Sequence, residues 1–212
     1  MKKISFNERY GLQQVVIKGT KSTTRRAEKS LFLLDELSEW HISDYTQKEG
    51  FRISFTREDG IRGEYYIKPR YAIGEVVAVA QRYKDCWDYY QQLWEAKNDP
   101  SDWHTPDAIL GDQVNETPGW KNKMFVRSDL MPHRIRITDI KAERLQDISD
   151  EDCQKEGVVA THGGYGVEVE LNYQVFASTP REAFAALINR VCGRGTWERN
   201  LWVFVYEFEL IK

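Results

Sequence analysis

The sequence predicts an α+β fold, a small antiparallel β-barrel decorated by peripheral helices. Three observations carry this. Strand-like stretches outnumber helical ones, and several follow one another directly. The helical stretches sit at strand ends in irregular alternation, which suits a decorated barrel better than a parallel sheet. The chain has 212 residues and a mass of 24.9 kDa. A fold of that mass exposes roughly 10,000 of the roughly 36,000 Å² its unfolded chain would expose, so a core forms without covalent staples and one domain with insertions is expected.

The elements follow in order. Residues 4–6 read as a short strand. Asn7 is placed to cap a helix over 8–18, with Leu12, Val15 and Val16 on one face and Gly19 as its left-handed stop. Residues 21–26 are extended by propensity. Residues 27–40 read as a second helix, with Leu33, Leu34, Leu37 and Trp40 in a stripe. Residues 51–56 alternate apolar and polar, Asp59-Gly60 signals a turn, and 63–68 return as the partner strand. Residues 74–80 are β-branched and apolar, a central strand. Residues 85–96 are helical, with Trp87, Tyr90 and Trp94 on one stripe. Residues 98–123, with prolines, glycines and little periodicity, read as a long irregular loop.

Residues 124–127 and 135–143 are expected strands. Ser149 caps a short helix whose first turn is Asp150-Glu151-Asp152, acids at the positive end of the dipole, and Gly157 ends it. Gly163–Gly166 is a turn before an expected strand over 167–176. Thr179-Pro180-Arg181-Glu182 opens a helix carrying Phe184, Leu187, Ile188 and Val191 to Gly193, and 201–211 is a closing strand.

Charge limits function. Lys and Arg total 30 against 33 Asp and Glu, a net of −3, which excludes holding nucleic acid by bulk positive charge but allows a local basic pocket. No apolar run approaches the ~20 residues of a membrane span. The first residues lack the apolar stretch of a signal peptide, and Cys86, Cys153 and Cys192 are too few and too far apart for a disulfide framework. A cytoplasmic protein with reduced thiols and no membrane partner is expected.

The chemistry-bearing stretch is Gly19-Thr20-Lys21-Ser22-Thr23-Thr24-Arg25-Arg26. Lys18, Lys21, Arg25, Arg26 and Lys29 put five cations in twelve residues, beside hydroxyls that suit a phosphate or carbonyl oxygen. A solvated basic strand edge has the same composition. The pattern Gly-x-Lys-x-x-Thr-x-Arg, filled by Gly19, Lys21, Thr24 and Arg26 just after a helix, resembles the signature of the ASCH domain family, small β-barrels of the PUA-like superfamily. Residues 74–79, residues 137–157 and residues 202–209 resemble, in the same order, that family's barrel strand, strand-then-acidic-helix segment and closing strand.

The resemblance implies a PUA-like barrel that binds RNA or a modified base or nucleoside, without a cofactor. One small member of the family is an N4-acetylcytidine amidohydrolase, whose lysine and threonine match Lys21 and Thr24 and whose glutamate matches Glu156. Lys21 is then the base, Thr24 the nucleophile and Glu156 the acid that protonates the leaving amine. Regular alternation sets Lys21 and Thr24 on opposite sides of a strand, so a turn between them is required. This chain is about twice the length of those members, adding 27–71, 84–123 and 158–179; such longer forms are often encoded in phage or prophage genomes. A ribonuclease using the same cations, and a protein-interaction module with a vestigial pocket, are the alternatives.

Further ligand contacts are expected from Arg25 and Arg26 and from Arg134 and Arg136, two residues apart on one strand face. Trp103 and Trp120, in the polar loop, are candidates for stacking an unpaired base, and Trp197 for the pocket wall. His41, His104, His133 and His162 have no metal-ligand spacing.

Overall fold

In a computed structural model the chain is a mixed α+β protein with several sheets, described for residues 1–36, 39–56, 59–99, 101–169, 172–173 and 177–211. In chain order the elements are β1 (Lys3–Ile4), α1 (Leu12–Ile17), β2 (Thr23–Arg26), β3 (Glu39–Thr46), β4 (Gly50–Thr56), β5 (Arg62–Ile67), β6 (Val76–Val79), α2 (Tyr83–Lys97), α3 (Pro106–Leu110), β7 (Arg134–Arg144), α4 (Asp150–Lys155), β8 (Val158–Thr161), β9 (Gly164–Val169), β10 (Asn172–Tyr173), α5 (Pro180–Cys192) and β11 (Trp202–Ile211). Among the described residues no closed barrel is found. No helix among them is long and apolar enough to cross a membrane. The chain divides into two compact units.

The first unit comprises residues 1–6, 76–135 and 210–212. β1 pairs parallel with β6, Lys3 opposite Ala78 and Ile4 opposite Val79. The apolar run in β6 is buried, as its composition requires, and α2 packs Tyr83 and Cys86 into the same core. The described residues of 98–123 carry more local structure than their composition suggests. Thr105 caps α3, accepting from the Ala108 amide at 3.2 Å with Pro106 at the first position, and 3-10 turns follow at Val114–Glu116 and Pro118–Trp120. Leu110 and Val114 from this segment complete the core.

Residues 124–127 do not form the expected strand. Lys123–Phe125 is a 3-10 turn in which the Asn122 side chain accepts from the Met124 amide at 3.0 Å. The Lys3 ammonium donates to the Met124 and Val126 carbonyls at 2.9 and 3.0 Å, which holds the segment in this turn.

The second unit comprises residues 7–75 and 136–209. Helix α1 starts later than expected. Gly11, at φ 66, is its N-cap without a side-chain bond, and the chain before it is a turn closed by Gly11 N to Glu8 O at 3.0 Å. That left-handed residue blocks a helix continuous from Asn7. Gly19 stops α1 at φ 78, as the sequence requires. β2 pairs antiparallel with β11, Thr24 opposite Tyr206 and Arg26 opposite Phe204.

The helix expected over 27–40 is instead a 3-10 helix, Lys29–Glu36, followed by β3. Three residues per turn bury Leu31 and Leu34 together and leave Leu33 50% exposed. Trp40 of the expected helical stripe pairs with Phe55 across β3 and β4; Leu37 lies outside the described residues. The β4–β5 hairpin is as expected, with Asp59 Oδ1 accepting from the Ile61 amide at 3.2 Å and Gly60 at φ 80.

Ser149 caps α4 through the Asp152 amide at 3.1 Å, and Thr179 caps α5 through the Glu182 amide at 3.2 Å. Ala183 and Phe184 carry α5 onto a core of Leu145, Ile148, Cys153, Val203 and Val205, and Leu187 of the same helix is buried too. Of the strand expected over 167–176, residues 167–169 belong to β9 and 172–173 to β10; β9 pairs antiparallel with β8 on one side and with β10 on the other, Val169 opposite Asn172. Residues 170–171 and 174–176 of that expectation lie outside the described residues.

Two glycines in the β3–β4–β5 sheet give a graded test. A Cβ at Gly50, φ 86, would meet Ile67 O at 2.3 Å, whereas at Gly60, φ 80, it would meet nothing within 4 Å. Gly60→Ala should cost about 1 kcal/mol, for the left-handed backbone alone, and Gly50→Ala at least about 2 kcal/mol, since the clash is with backbone. Urea unfolding of both variants checks the order.

Candidate functional site

Two sharp chain reversals meet in the second unit. At the end of α1, Val15 O accepts from the amides of both Thr20 and Lys21, at 2.9 and 3.0 Å, turning the chain so that Lys21 leads into β2. Ser22 N donates to Lys155 O at 3.0 Å, and Ser22 O accepts from Phe208 N at 2.8 Å, fixing the turn to α4 and to β11. At the end of α4, Glu156 is the C-cap and Gly157 follows at φ 98. A Cβ on Gly157 would meet Val15 at 3.3 Å and the Lys21 side chain at 3.8 Å. The positive φ and the tight approach of Val15 call for glycine there; the Lys21 stem lies at ordinary contact distance.

The side chains brought together form a buried ionic network. Lys21 Nζ donates to the Glu156 carbonyl oxygen at 2.8 Å and to Glu156 Oε2. Arg25 Nη1 donates to Glu156 Oε1 at 3.0 Å, so two cations share one carboxylate. Arg25 Nε and Nη2 also donate to Glu143 Oε1, at 2.9 and 2.7 Å, and Nη2 reaches Asp152 Oδ2 at 3.2 Å. Lys141 Nζ closes the set, 3.0 Å from Glu143 Oε2 and 3.2 Å from Asp152 Oδ2. Three cations, Lys21, Arg25 and Lys141, thus face three carboxylates, Glu143, Asp152 and Glu156. Lys21 and Glu156 are only 3% and 4% exposed.

Burial sets the acid–base character. Loss of water pushes the Lys21 ammonium below its ordinary 10.5, and the attraction of Glu156 does not restore it, while Arg26 and Arg25 push further down. For Arg25 burial also works against the charge, but Glu156 and Glu143 outweigh it and hold the guanidinium above its ordinary range. Lys141, half-exposed, is likewise raised: burial opposes its charge, and Glu143 and Asp152 prevail. Asp152 stands below the usual carboxylate range; burial opposes this, and Lys141 and Arg25 prevail.

The alternation of β2 divides the remaining candidates. Thr23 and Arg25, opposite Glu207 and Val205, share one face; Thr24 and Arg26, opposite Tyr206 and Phe204, share the other. Arg25 stands over the Phe184 ring at 5.9 Å on the α5 side. Thr24 is buried, and among the described residues its hydroxyl has no hydrogen bond to Lys21 or Glu156. The Thr23 hydroxyl is buried and unpartnered. On the Thr24 side Tyr206 donates to Glu28 Oε1 at 2.5 Å and accepts from the Arg70 amide at 3.1 Å.

Trp197 packs edge-on against Phe184, with ring centroids 6.2 Å apart, under the Arg181 guanidinium. Arg136 pairs with Glu209 at 3.0 Å on the exposed end of its strand. Arg134, Trp103 and Trp120 belong to the first unit. There Trp103 is 72% exposed and stacks on His104, and Trp120 packs against the core. Among the described residues no group of three or more His, Cys, Asp or Glu is arranged to hold a metal ion.

Glu143, Asp152 and Lys141 are participants that sequence reasoning missed. The available signal was electrostatic: Lys21 and Arg25 together need more than the single carboxylate of Glu156, and the acidic first turn of α4 is the nearest supply.

The lowered Lys21 value gives stability a pH dependence. The unfolded chain holds the Lys21 proton more tightly than the fold does, so stability rises as pH climbs toward the unfolded value of 10.5. Urea unfolding at about pH 7 and about pH 9.5 should show this gain in the wild type relative to Lys21→Met. Removing one partner, by Glu156→Gln, should cost about 3–5 kcal/mol, and Lys21→Met/Glu156→Gln should recover part of the loss.

Comparison with known proteins returns no matching family model, no matching curated protein and no matching solved structure.

Proposed function

We propose that this chain binds a modified base or nucleoside, free or within RNA, and hydrolyses an amide on it, with N4-acylated cytidine as the substrate class. The observation that carries the reading is the buried Lys21–Glu156 pair, joined across the chain by the turns at Gly19 and Gly157. The resemblance to the ASCH family, with its PUA-like barrel, supplies the substrate class. The position of Glu156 against Lys21 supports the reading.

The chemistry follows from the Lys21 environment. A lysine acts as a base only as the neutral amine, and burial beside Arg25 and Arg26 favours that form. In this mechanism Lys21 takes the proton of the Thr24 hydroxyl while Thr24 Oγ attacks the acyl carbon. The carbon–N4 bond breaks, and the amine leaves with a proton relayed through Glu156. Water then hydrolyses the acyl-threonine and restores the hydroxyl. Arg26, on the Thr24 face of β2, is suited to a phosphate or carbonyl oxygen of the ligand. The step requires substrate binding to bring Thr24, which lies on the opposite face of β2 from Arg25, to Lys21.

The test is hydrolysis of N4-acetylcytidine by the wild type, Lys21→Arg, Thr24→Ala and Glu156→Gln, with folding checked by circular dichroism. Each variant should lose about 10²–10⁴ in kcat, because the three act as a unit. Full activity in Lys21→Arg, whose guanidinium cannot give up its proton, overturns the base assignment. Absence of wild-type turnover overturns the hydrolase reading. Binding is tested separately. Arg26→Ala should weaken single-stranded RNA binding at every sequence and lower its salt slope by about one.

A further inference from the structure

The first unit holds a cavity of about 530 Å³ with a composition unlike that of the Lys21 network. Its walls come from α2, α3 and the two 3-10 turns that follow. Two indoles, Trp87 and Trp120, line it, together with Asp88, Asp107, Asp112 and Glu116. No lysine, arginine or histidine is among its lining residues. The size lies within the ordinary range for small-molecule sites, roughly 300–1,000 Å³.

The indoles are held in place. Trp87 Nε1 donates to Asp107 Oδ1 at 3.2 Å, which ties α2 to α3 across the cavity wall. Both indoles pack against the core formed by Tyr83, Cys86, Leu110 and Val114. Gln113, also in the lining, sits at φ 62, a left-handed conformation that a non-glycine residue adopts at a cost of about 1–3 kcal/mol. Among the described residues Asp88, Asp112 and Glu116 have no ion-pair partner. Their charges stand around an aromatic wall without compensation.

Aromatic faces attract cations and shed water from methylene chains, and carboxylates pair with ammonium groups. Here the carboxylates are spread around the cavity. They do not converge as a metal site, so a compact dication is not what they match. A cation with its charges spaced along a hydrocarbon chain matches both features, and a single quaternary ammonium would leave several carboxylates unanswered. We propose that this cavity binds a linear aliphatic polyamine of the spermidine class, its methylenes against Trp87 and Trp120 and its ammonium groups toward Asp88, Asp112 and Glu116.

The experiment is titration calorimetry of the full chain with spermidine at about 0.15 M salt, where loose counter-ion attraction is largely screened. Saturable one-to-one binding is expected. Asp112→Asn/Glu116→Gln, both at exposed positions, should weaken it at least about tenfold, and Trp87→Phe should weaken it less, since a smaller aromatic face remains. Asp99→Asn/Asp129→Asn, in the same unit but outside the cavity lining, should leave it unchanged. No saturable binding overturns the proposal. An equal loss in that control variant overturns it too, by reducing the effect to bulk charge. Tetramethylammonium or magnesium binding as tightly as spermidine overturns the assignment to a spaced polycation.

Discussion

The second unit depends on one carboxylate, Glu156, held between two cations in a place that water hardly reaches. A lone charge there would cost several kcal/mol in lost hydration, so the pair survives only because its hydrogen bonds are nearly complete. Lys21 adds the Glu156 carbonyl as a second acceptor, and Arg25 spreads its donors over Glu143, Asp152 and Glu156. Each added partner brings an element with it. The turn before β2 supplies Lys21, β2 supplies Arg25, β7 supplies Lys141 and Glu143, and α4 with its C-cap supplies Asp152 and Glu156. The network therefore acts as a register pin that holds α4 against the start of β2, and the Ser22–Lys155 backbone bond lies on the same line.

A structural pin and a catalytic base make different demands on residue 21. Arginine would serve the pin as well or better, because its guanidinium is less strongly hydrated and forks onto carboxylates. Arg25 already fills that role four residues later, with four bonds to three carboxylates. A lysine in the tighter position, where burial and two arginines lower its proton affinity, is poorly explained by anchoring alone. That difference between Lys21 and Arg25 is what gives the hydrolytic reading physical content.

The sequence was legible wherever structure is decided locally. Ser149 and Thr179 bind the amides that a capping residue should, Gly19 and Gly157 take positive φ at helix ends, and the β4–β5 hairpin follows from alternation and Asp59-Gly60. The Lys21–Glu156 contact came from the family resemblance, not from periodicity. The failures are decided at a distance. Residues 27–40 have the spacing of a helix, yet Trp40 and Ile42 are claimed by Phe55 and Ile53 on β4. Residues 124–127 have strand propensity, yet Lys3, some 120 residues away, takes their carbonyls. The loop over 98–123 looked structureless because its order rests on caps and single buried side chains, Leu110 and Val114, which leave no periodic trace.

The two sites obey one rule and lead to opposite consequences. A charge in a protein is stable when it is paired or when it is wet. In the second unit six charged side chains satisfy one another, so a ligand arriving at Lys21 must offer more than charge; it must replace bonds already made. The proposed substrate, an uncharged acyl group, would ask of Lys21 a proton transfer rather than a new ion pair. In the first unit Asp88, Asp112 and Glu116 are exposed and, among the described residues, have no ion-pair partner, so a cation can join these three without displacing another, and the indoles reward whatever hydrocarbon it carries. Net charge alone, at −3, conceals this difference. What separates a closed ionic network from an open, aromatic-walled one is the distribution of partners, and that distribution is set by which turns and caps bring the acids together.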